Sequence, residues 1–344
     1  MYKSPQKLQN FAPYKPTAEN IKIRLDSNES FIPVPQEKII AAIKKLNLNR
    51  YPDPCATETI SAFASLFKTD TKLVTAGNGS DELIGIICAG LMKKGSKILT
   101  LKPDFFMYTF CARLHELELV ELSKNLDFTI NIDSVITFIK NNRIDCIMLS
   151  NPCNPTSIGI EKPEMVRLVS SVPETIVVLD EAYIDFWSEE QSLLCEINNY
   201  KNLIILRTCS KSMALAGIRM GFAVSSEEIT HTLKTAKAPF NVNSLSQAIA
   251  SEIMLDGEGY RKSIKLIKES IESLYASLKD LGLFEKICDT KTNFVYVETP
   301  KATAIYEYLL NNGIAVRCFG THLRICAGTL MENRELIETL KRYA

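Results

Sequence analysis

The sequence R-T-C-S-K-S-M-A-L-A-G-I-R-M-G-F-A-V, residues 207–224, follows an apolar run, Asn202 to Leu206, that is typical of a buried strand. It contains one lysine, Lys211, between two serines, and an arginine, Arg219, eight residues later. Most of the residues around them are small or apolar. Because a charged lysine is costly to bury, such surroundings favour the neutral, nucleophilic form of its amine.

The same stretch carries groups that suit a phosphate. Thr208 and Ser210 offer hydroxyls, and Arg219 offers a fixed cation. A neutral lysine can form a Schiff base with an aldehyde, and an aldehyde that carries a phosphate is pyridoxal phosphate. This stretch therefore suggests a pyridoxal phosphate site. An isolated S-K-S tripeptide is more often a surface lysine before an ordinary helix, so the hypothesis depends on the other segments.

Composition narrows the function classes. A chain of 344 residues can bury a large core and form two domains, or one domain with a smaller lobe. Forty basic and forty acidic residues cancel, and no basic run interleaved with aromatic residues indicates nucleic-acid binding. The sequence shows no signal-peptide core and no apolar stretch long enough to span a bilayer. We expect a soluble, cytoplasmic protein without nucleic-acid or membrane partners.

The cysteines and histidines argue against disulfides and metals. The ten cysteines contain no C-x-x-C pair, and without an export signal reduced thiols are expected. The three histidines lack metal-ligand spacing to one another or to a cysteine. We predict no metal site.

Chemically useful residues follow the predicted strands. Strands are predicted at 72–76, 97–101, 117–122, 145–150, 175–179 and 202–206, with helical segments between them. Ligands of open α/β sheets bind at the carboxyl ends of the strands, so the residues there should share one site. These candidates are Gly79 with Ser80, Phe105, Asn154, Asp180 and Lys211. The pattern predicts an α/β fold with a mostly parallel central sheet and helices on both faces.

Several of these residues have a second interpretation. Gly79 and Ser80 open a helix whose free N–H groups attract an anion, or they are a plain helix cap. Phe105 stacks on a flat ring or packs in the core. Asp180, at the end of a buried strand, needs a cation: a protonated pyridine nitrogen would serve, as would an arginine or a helix N-terminus.

The chain changes character after Val224. Long helices and short strands predict a smaller α+β lobe that carries Arg317 and Arg324 on strands. Each arginine would bind an anionic substrate or form a surface salt bridge. We assign residues 1–45 to an N-terminal arm and part of the small domain, 46–238 to a large cofactor-binding domain, and 239–344 to the small domain. Tyr14 and Asn28 are polar candidates on the arm.

Taken together, these motifs identify a family resemblance. The chain resembles the fold-type I pyridoxal-phosphate-dependent aminotransferases and, within them, the histidinol-phosphate aminotransferase family. The resemblance covers nearly the full length. It rests on L-D-S-N-E (25–29), N-R-Y-P-D-P (49–54), G-N-G-S-D-E (77–82), N-P-C-N-P-T (151–156), V-L-D-E-A-Y (178–183), R-T-C-S-K-S (207–212), L-A-G-I-R-M-G (215–221), T-N-F-V (292–295) and L-R-I-C-A-G-T (323–329).

The resemblance implies a role for each candidate. Lys211 would form the Schiff base and shuttle the substrate proton, and Asp180 would pair with the pyridine nitrogen. Tyr183 and Asn154 would hydrogen-bond the ring hydroxyl, and Phe105, where a tyrosine is usual, would stack on the ring. The phosphate would be held by Gly79, Ser80, Thr208, Ser210 and Arg219, and by Tyr51 from the partner of a homodimer. The substrate would be held by Tyr14, Asn28, Arg317 and Arg324.

The implied activity is transamination between a small-molecule amino donor and a 2-oxo acid. The reaction is that of L-histidinol phosphate with 2-oxoglutarate, giving imidazole-acetol phosphate and glutamate in histidine biosynthesis. The alternatives are an aromatic amino acid aminotransferase, a threonine-phosphate decarboxylase, or a non-catalytic binding protein on the same fold.

Overall fold

A computed structural model of the chain describes residues 5–8, 11–13 and 21–344. The helices are α1 (Gln36–Lys44), α2 (Thr57–Phe67), α3 (Ser80–Leu91), α4 (Phe106–Leu114), α5 (Ile132–Asn142), α6 (Lys162–Ser171), α7 (Glu227–Ala236), α8 (Ser244–Met254), α9 (Gly257–Asp280), α10 (Ala302–Asn311) and α11 (Leu330–Tyr343). The strands are β1 (Ile23–Arg24), β2 (Val74–Gly77), β3 (Lys97–Lys102), β4 (Glu118–Ser123), β5 (Cys146–Ser150), β6 (Ile176–Asp180), β7 (Leu203–Thr208), β8 (Gly221–Ser225), β9 (Lys286–Ile287), β10 (Phe294–Glu298), β11 (Ile314–Ala315), β12 (Arg317–Phe319) and β13 (His322–Cys326).

The central sheet has seven strands in the order β2-β8-β7-β6-β5-β3-β4. Strand β8 runs antiparallel to both of its neighbours, and the other pairs are parallel. The parallel register brings the ends of β5 and β6 together, with Ser150 opposite Asp180. The predicted α/β fold with a mostly parallel sheet is therefore confirmed.

Helices cover both faces of this sheet, so its strands are buried on both sides. Along β7, Leu203 and Ile205 belong to one apolar cluster, and Ile204 and Leu206 belong to another. The first cluster includes side chains of α2, α5, α6 and α8, and the second includes side chains of α3, α4 and α7. Burial on both faces explains why the strands appear in the sequence as continuous apolar runs.

The small lobe contains an antiparallel sheet in the order β12-β13-β10-β9 and the short parallel pair β1-β11. Its core packs α9, α10 and α11 against β10 and β13, and it includes Ile23 and Leu25 from the N-terminal segment. The predicted domain boundaries, 1–45, 46–238 and 239–344, stay predictions. In the packing, Ile249 and Met254 of α8 join the core of the large domain.

Two irregular segments lie beside the carboxyl ends of the parallel strands. One is the loop 209–220 between β7 and β8, and the other is residues 25–29, which follow β1. Asp26 and Asn28 in the second segment are buried, so this part of the N-terminal region is packed against the molecule. Within the described ranges, no helix is both long and apolar enough to cross a membrane.

Candidate active site

A cavity of about 740 Å³ lies at the carboxyl ends of the central strands, between the large domain and the small lobe. It brings together most of the residues proposed from the sequence. Its lining includes Asn28, Ser80, Phe105, Asn154, Asp180, Tyr183, Thr208, Ser210, Lys211, Arg219, Arg317 and Arg324. Gly79 adjoins this lining through Ser80, Tyr51 lies outside it, and Tyr14 lies outside the described residues.

Lys211 is half-buried in the loop after β7 and points towards the N-terminal segment. Its Nζ donates a hydrogen bond to the backbone oxygen of Ser27 at 3.0 Å and lies 5.9 Å from the centre of the Tyr183 ring. The chain after Lys211 forms only a short 3₁₀ turn at Ala216–Ile218, not an ordinary helix. The amine is thus presented to the cavity rather than to the outer surface.

Asp180 lies at the end of β6 and is 3% exposed. Its carboxylate accepts hydrogen bonds from the Tyr108 hydroxyl and from the Ala182 N–H, each at 3.0 Å. Burial raises the pKa of Asp180 from 3.8 to about 7, although these two hydrogen bonds act to lower it. Among the described residues no basic side chain forms a salt bridge with it. The carboxylate is therefore destabilised in its charged form unless a cation enters the cavity.

The start of α3 and the loop after β7 form a cup of donors. Thr208 Oγ1 and Ser210 Oγ lie 3.0 Å apart, and Arg219 Nη1 donates to Ser210 Oγ at 3.4 Å. Gly79 has φ +86°, and a Cβ at this position would lie 2.7 Å from Arg219 Nη2. The glycine therefore leaves room for the guanidinium beside the free N–H groups of the helix start.

A chain of polar contacts connects the large domain to the small lobe. Arg324 Nη1 donates to Asn154 Oδ1, which leaves the amide N–H groups of Asn154 for other acceptors. Asn28 Nδ2 donates to the Tyr183 hydroxyl at 3.0 Å. Tyr183 and Asn154 therefore each have one side of their polar group fixed by the protein, which orients the remaining donors.

Two arginines form the end of the cavity in the small lobe. Arg317 on β12 is the direct cross-strand partner of Arg324 on β13. Arg324 is 8% exposed, its Nη2 donates to the backbone oxygen of Asp26 at 2.6 Å, and burial lowers its pKa. Its guanidinium Cζ lies 5.4 Å from the centre of the Phe294 ring and 5.7 Å from the centre of the Phe319 ring. Like charges opposite each other are unfavourable in a sheet, so this pair favours an anion between them.

Phe105 and Tyr51 occupy different environments. Phe105 lines the cavity and makes edge-to-face contacts with Phe106 and Tyr108. Tyr51 is 81% exposed and stacks on Phe240, with ring centres 4.6 Å apart. Phe105 is thus placed to contact a ligand in this chain, whereas Tyr51 faces outwards.

The structure adds residues that the sequence did not indicate. Tyr108 is fully buried, and burial raises its pKa, so that its hydroxyl remains a donor to Asp180. Its spacing of three residues from Phe105 is one helical turn, a signal that could have suggested a shared face. Asp104 also lines the cavity, and its carboxylate lies 3.6 Å from the buried Lys124 Nζ. That pair depends on the register of β3 and β4, which the sequence alone does not supply.

Comparisons with known proteins identify the family of the chain. The family model for aminotransferases of class I and II matches residues 20–340. The chain belongs to the class I and II aminotransferase family. The histidinol-phosphate aminotransferase of Clostridium novyi is 37% identical, covering 97% of this chain and 95% of the relative. That of Clostridium kluyveri is 35% identical, covering 98% and 97%.

A solved structure shows the same fold as this aminotransferase. The histidinol-phosphate aminotransferase of Sinorhizobium meliloti, solved in complex with pyridoxal-5'-phosphate, superimposes with a TM-score of 0.91. The alignment covers 99% of this chain and 97% of that one, at 22% sequence identity. At this identity the similarity establishes the architecture of the family member described here.

Proposed function

We propose that this aminotransferase transfers the amino group of L-histidinol phosphate to 2-oxoglutarate, with pyridoxal phosphate as its cofactor. The products would be imidazole-acetol phosphate and glutamate, in histidine biosynthesis. One observation carries the proposal: a single cavity joins an amine, a buried carboxylate, a phosphate-sized cup and a pair of arginines. The names of the relatives that are 37% and 35% identical support the choice of substrate.

The residues present fit pyridoxal phosphate. The cup formed by Ser80, Thr208, Ser210 and Arg219 suits a phosphate, and Gly79 keeps space open beside it. The buried Asp180 lacks a cationic partner among the described residues, and a protonated pyridine nitrogen would supply one. Asn154 and Tyr183 would hold the ring hydroxyl, Phe105 would pack on the ring, and Lys211 would hold the aldehyde carbon.

When bound, the cofactor supplies a reactive carbonyl and a ring that withdraws electrons from the substrate Cα. Lys211 Nζ would take the proton from Cα and return it on the cofactor side. Asp180 would keep the ring nitrogen protonated throughout. Asn154 Oδ1 and the Tyr183 hydroxyl oxygen each accept a hydrogen bond within the protein, which fixes their orientation, so neither side chain would have to reorganise during the reaction.

The arginine pair would bind the anionic end of both substrates. The side-chain carboxylate of glutamate and the phosphate of histidinol phosphate would contact Arg324 and Arg317 in turn. Asn28 would help to close this end of the cavity through its contact with Tyr183. Tyr14 stays a predicted substrate contact.

The active unit would be a homodimer in the cytoplasm. Tyr51 and Phe240 form an exposed aromatic pair, and we infer that Tyr51 reaches the phosphate of the partner's cofactor. All ten cysteines are free thiols, which fits a reducing compartment.

The direct test is Lys211→Ala in the full-length protein. The parent should show a visible absorbance band with pyridoxal phosphate and form glutamate from histidinol phosphate and 2-oxoglutarate, and the variant should lose both. Lys234→Ala, at a lysine on the exposed side of α7, is a control that should keep both properties. Turnover that survives in Lys211→Ala would refute the assignment.

Product analysis separates the alternatives. An aminotransferase yields a ketone and glutamate, whereas a threonine-phosphate decarboxylase yields carbon dioxide and no glutamate. Phenylalanine as the better donor would favour the aromatic aminotransferase.

A further inference from the structure

A buried cluster of charges lies next to the loop that carries Lys211. Arg207, on β7, has a side chain that is 6% exposed and lies between the carboxylates of Glu181 and Asp185. Its Nη1 is 3.4 Å from Glu181 Oε2, and its Nη2 contacts Asp185 Oδ1. The ring of Phe67 packs over the guanidinium, with its centre 4.4 Å from Cζ. One cation is thus fixed between two anions, away from solvent.

Neighbouring donors satisfy the remaining carboxylate oxygens. Ser192 Oγ and the Leu193 N–H donate to Glu181 at 2.6 and 2.9 Å. Ser212 Oγ donates to Asp185 Oδ2 at 2.6 Å. Buried ion pairs of this kind are costly to desolvate and often stabilise a fold no more than apolar residues would. Orientation of the attached chain segments explains the cluster better than stability does.

The segments attached to the cluster carry the reactive groups. Glu181 directly follows Asp180, and Ser212 directly follows Lys211. The loop after β7 has no regular hydrogen-bond ladder: Ala214 has φ +59°, and the Leu215 N–H bonds back to Cys209 O at 3.0 Å. The Ala214 N–H also bonds to Lys211 O, at 3.3 Å. Beside these backbone contacts, the hydroxyl of Ser212, the residue after Lys211, adds a side-chain hydrogen bond that fixes the loop to Asp185.

We propose that Asp185 is a positioning residue for Lys211. Through the ion pair with Arg207 and the hydrogen bond from Ser212, it holds the backbone of Lys211 so that the amine can reach the substrate Cα. This inference rests on the proposed aminotransferase function. A shift of about 1 Å in a reacting group can reduce the rate of a step by about a hundredfold, so a single hydrogen bond next to the amine matters to catalysis.

The test compares two serine variants in the full-length protein. Ser212→Ala removes the hydroxyl that contacts Asp185. Ser251→Ala is the matched control, because Ser251 is also buried and lies outside the cavity lining. Its hydroxyl is within hydrogen-bond distance of Thr59 Oγ1, at 3.0 Å, and of Gln247 O, at 2.8 Å. We expect Ser212→Ala to lower kcat about tenfold while both KM values change less than about twofold. Ser251→Ala should leave kcat and KM near those of the parent.

A second readout does not depend on turnover. A pulse of acetic anhydride modifies Lys211 in the cofactor-free protein, and mass spectrometry measures the rate. We expect this rate to change about threefold or more in Ser212→Ala. The rate in Ser251→Ala should match the parent. Asp185→Asn keeps the shape of the side chain and removes its charge, so it should have the same effects as Ser212→Ala. It is the variant to test if Ser212→Ala does not fold.

The outcomes are distinct. A folded Ser212→Ala or Asp185→Asn protein with the kcat and the Lys211 labelling rate of the parent overturns the positioning role. A parent protein without a visible band or turnover overturns the proposed function instead, and the labelling comparison then still tests the positioning role.

Discussion

Asp180→Asn should make the cofactor-free protein more stable at alkaline pH while it removes activity. The folded-state pKa of Asp180 is about 7, raised by burial from 3.8. The folded protein therefore holds this proton more tightly than the unfolded chain does. The protonated carboxyl favours folding below about pH 4, and that contribution is lost as the pH rises through about 7.

The magnitude follows from the same pKa. At about 1.4 kcal/mol for each pKa unit, the rise corresponds to about 4 kcal/mol of folding free energy lost above pH 7. An asparagine avoids this cost: its oxygen can accept from the Ala182 N–H as Oδ1 does, and its NH2 group can donate to the Tyr108 hydroxyl oxygen where Oδ2 accepts from that hydroxyl. We expect Asp180→Asn to exceed the parent by about 2–4 kcal/mol at pH 8 and to differ from it little at pH 4.

Urea unfolding of the cofactor-free proteins at fixed concentration measures this difference. The subtraction removes the titration of all other groups, which the two proteins share. Asp280→Asn, at the exposed end of α9, serves as a control for the chemical change from aspartate to asparagine. A stability difference between Asp180→Asn and the parent that stays constant from pH 4 to pH 8 would refute the reasoning. So would full transaminase activity in Asp180→Asn.

Three further predictions concern the two ends of the cavity. Gly79→Ala should weaken pyridoxal phosphate binding about tenfold, because the added Cβ would collide with the Arg219 guanidinium and because φ +86° is strained for alanine. Gly85→Ala should leave binding unchanged, since a Cβ there has no atom within 4 Å. A cofactor titration measures both affinities. In a mixed dimer of Tyr51→Phe and Lys211→Ala subunits, one of the two sites should combine an intact Lys211 with an intact Tyr51 from the partner and so regain the cofactor affinity of the parent. No gain on mixing would contradict the contact of Tyr51 with the partner's cofactor. Arg324→Lys should lower kcat/KM about tenfold or more for both the amino donor and the 2-oxo acid, as measured by steady-state kinetics. A loss for only one of these two substrates would argue against a shared anion site.

The central strands could be predicted because their physical signal is local. A strand buried on both faces is a continuous apolar run, so β6 was expected at 175–179 and lies at Ile176–Asp180. In the small lobe, Ile314–Ala315 and Arg317–Phe319 are two short strands that belong to different sheets although they are adjacent in the sequence. Ile314–Ala315 pairs with the N-terminal segment, a partner nearly 300 positions away that local patterns cannot reveal.

In the candidate site, too, local signals could be predicted from the sequence and long-range contacts could not. Asp180 and Lys211 can be predicted because Asp180 ends a recognisable strand, Lys211 follows another by three residues, and ligands of this fold class bind at that edge. Tyr108, Asp104 and Asp185 were not singled out, since each acts through a side chain far away in the sequence. Their partners are set by strand register and loop packing, which are properties of the whole fold.

The charges of the cavity bear on how one site would accept two chemically different amino compounds in the proposed reaction. Arg219, Arg324 and the buried carboxylate of Asp180 all lie in its lining. Arg324 donates to a backbone oxygen and to an amide oxygen, and among the described residues no carboxylate forms a salt bridge with it. A buried guanidinium with only neutral acceptors gains from any anion that reaches it, whether carboxylate or phosphate. In the proposed reaction, discrimination between substrates would therefore come from the part of the molecule beyond the anion, while the anion would fix the amine opposite Lys211.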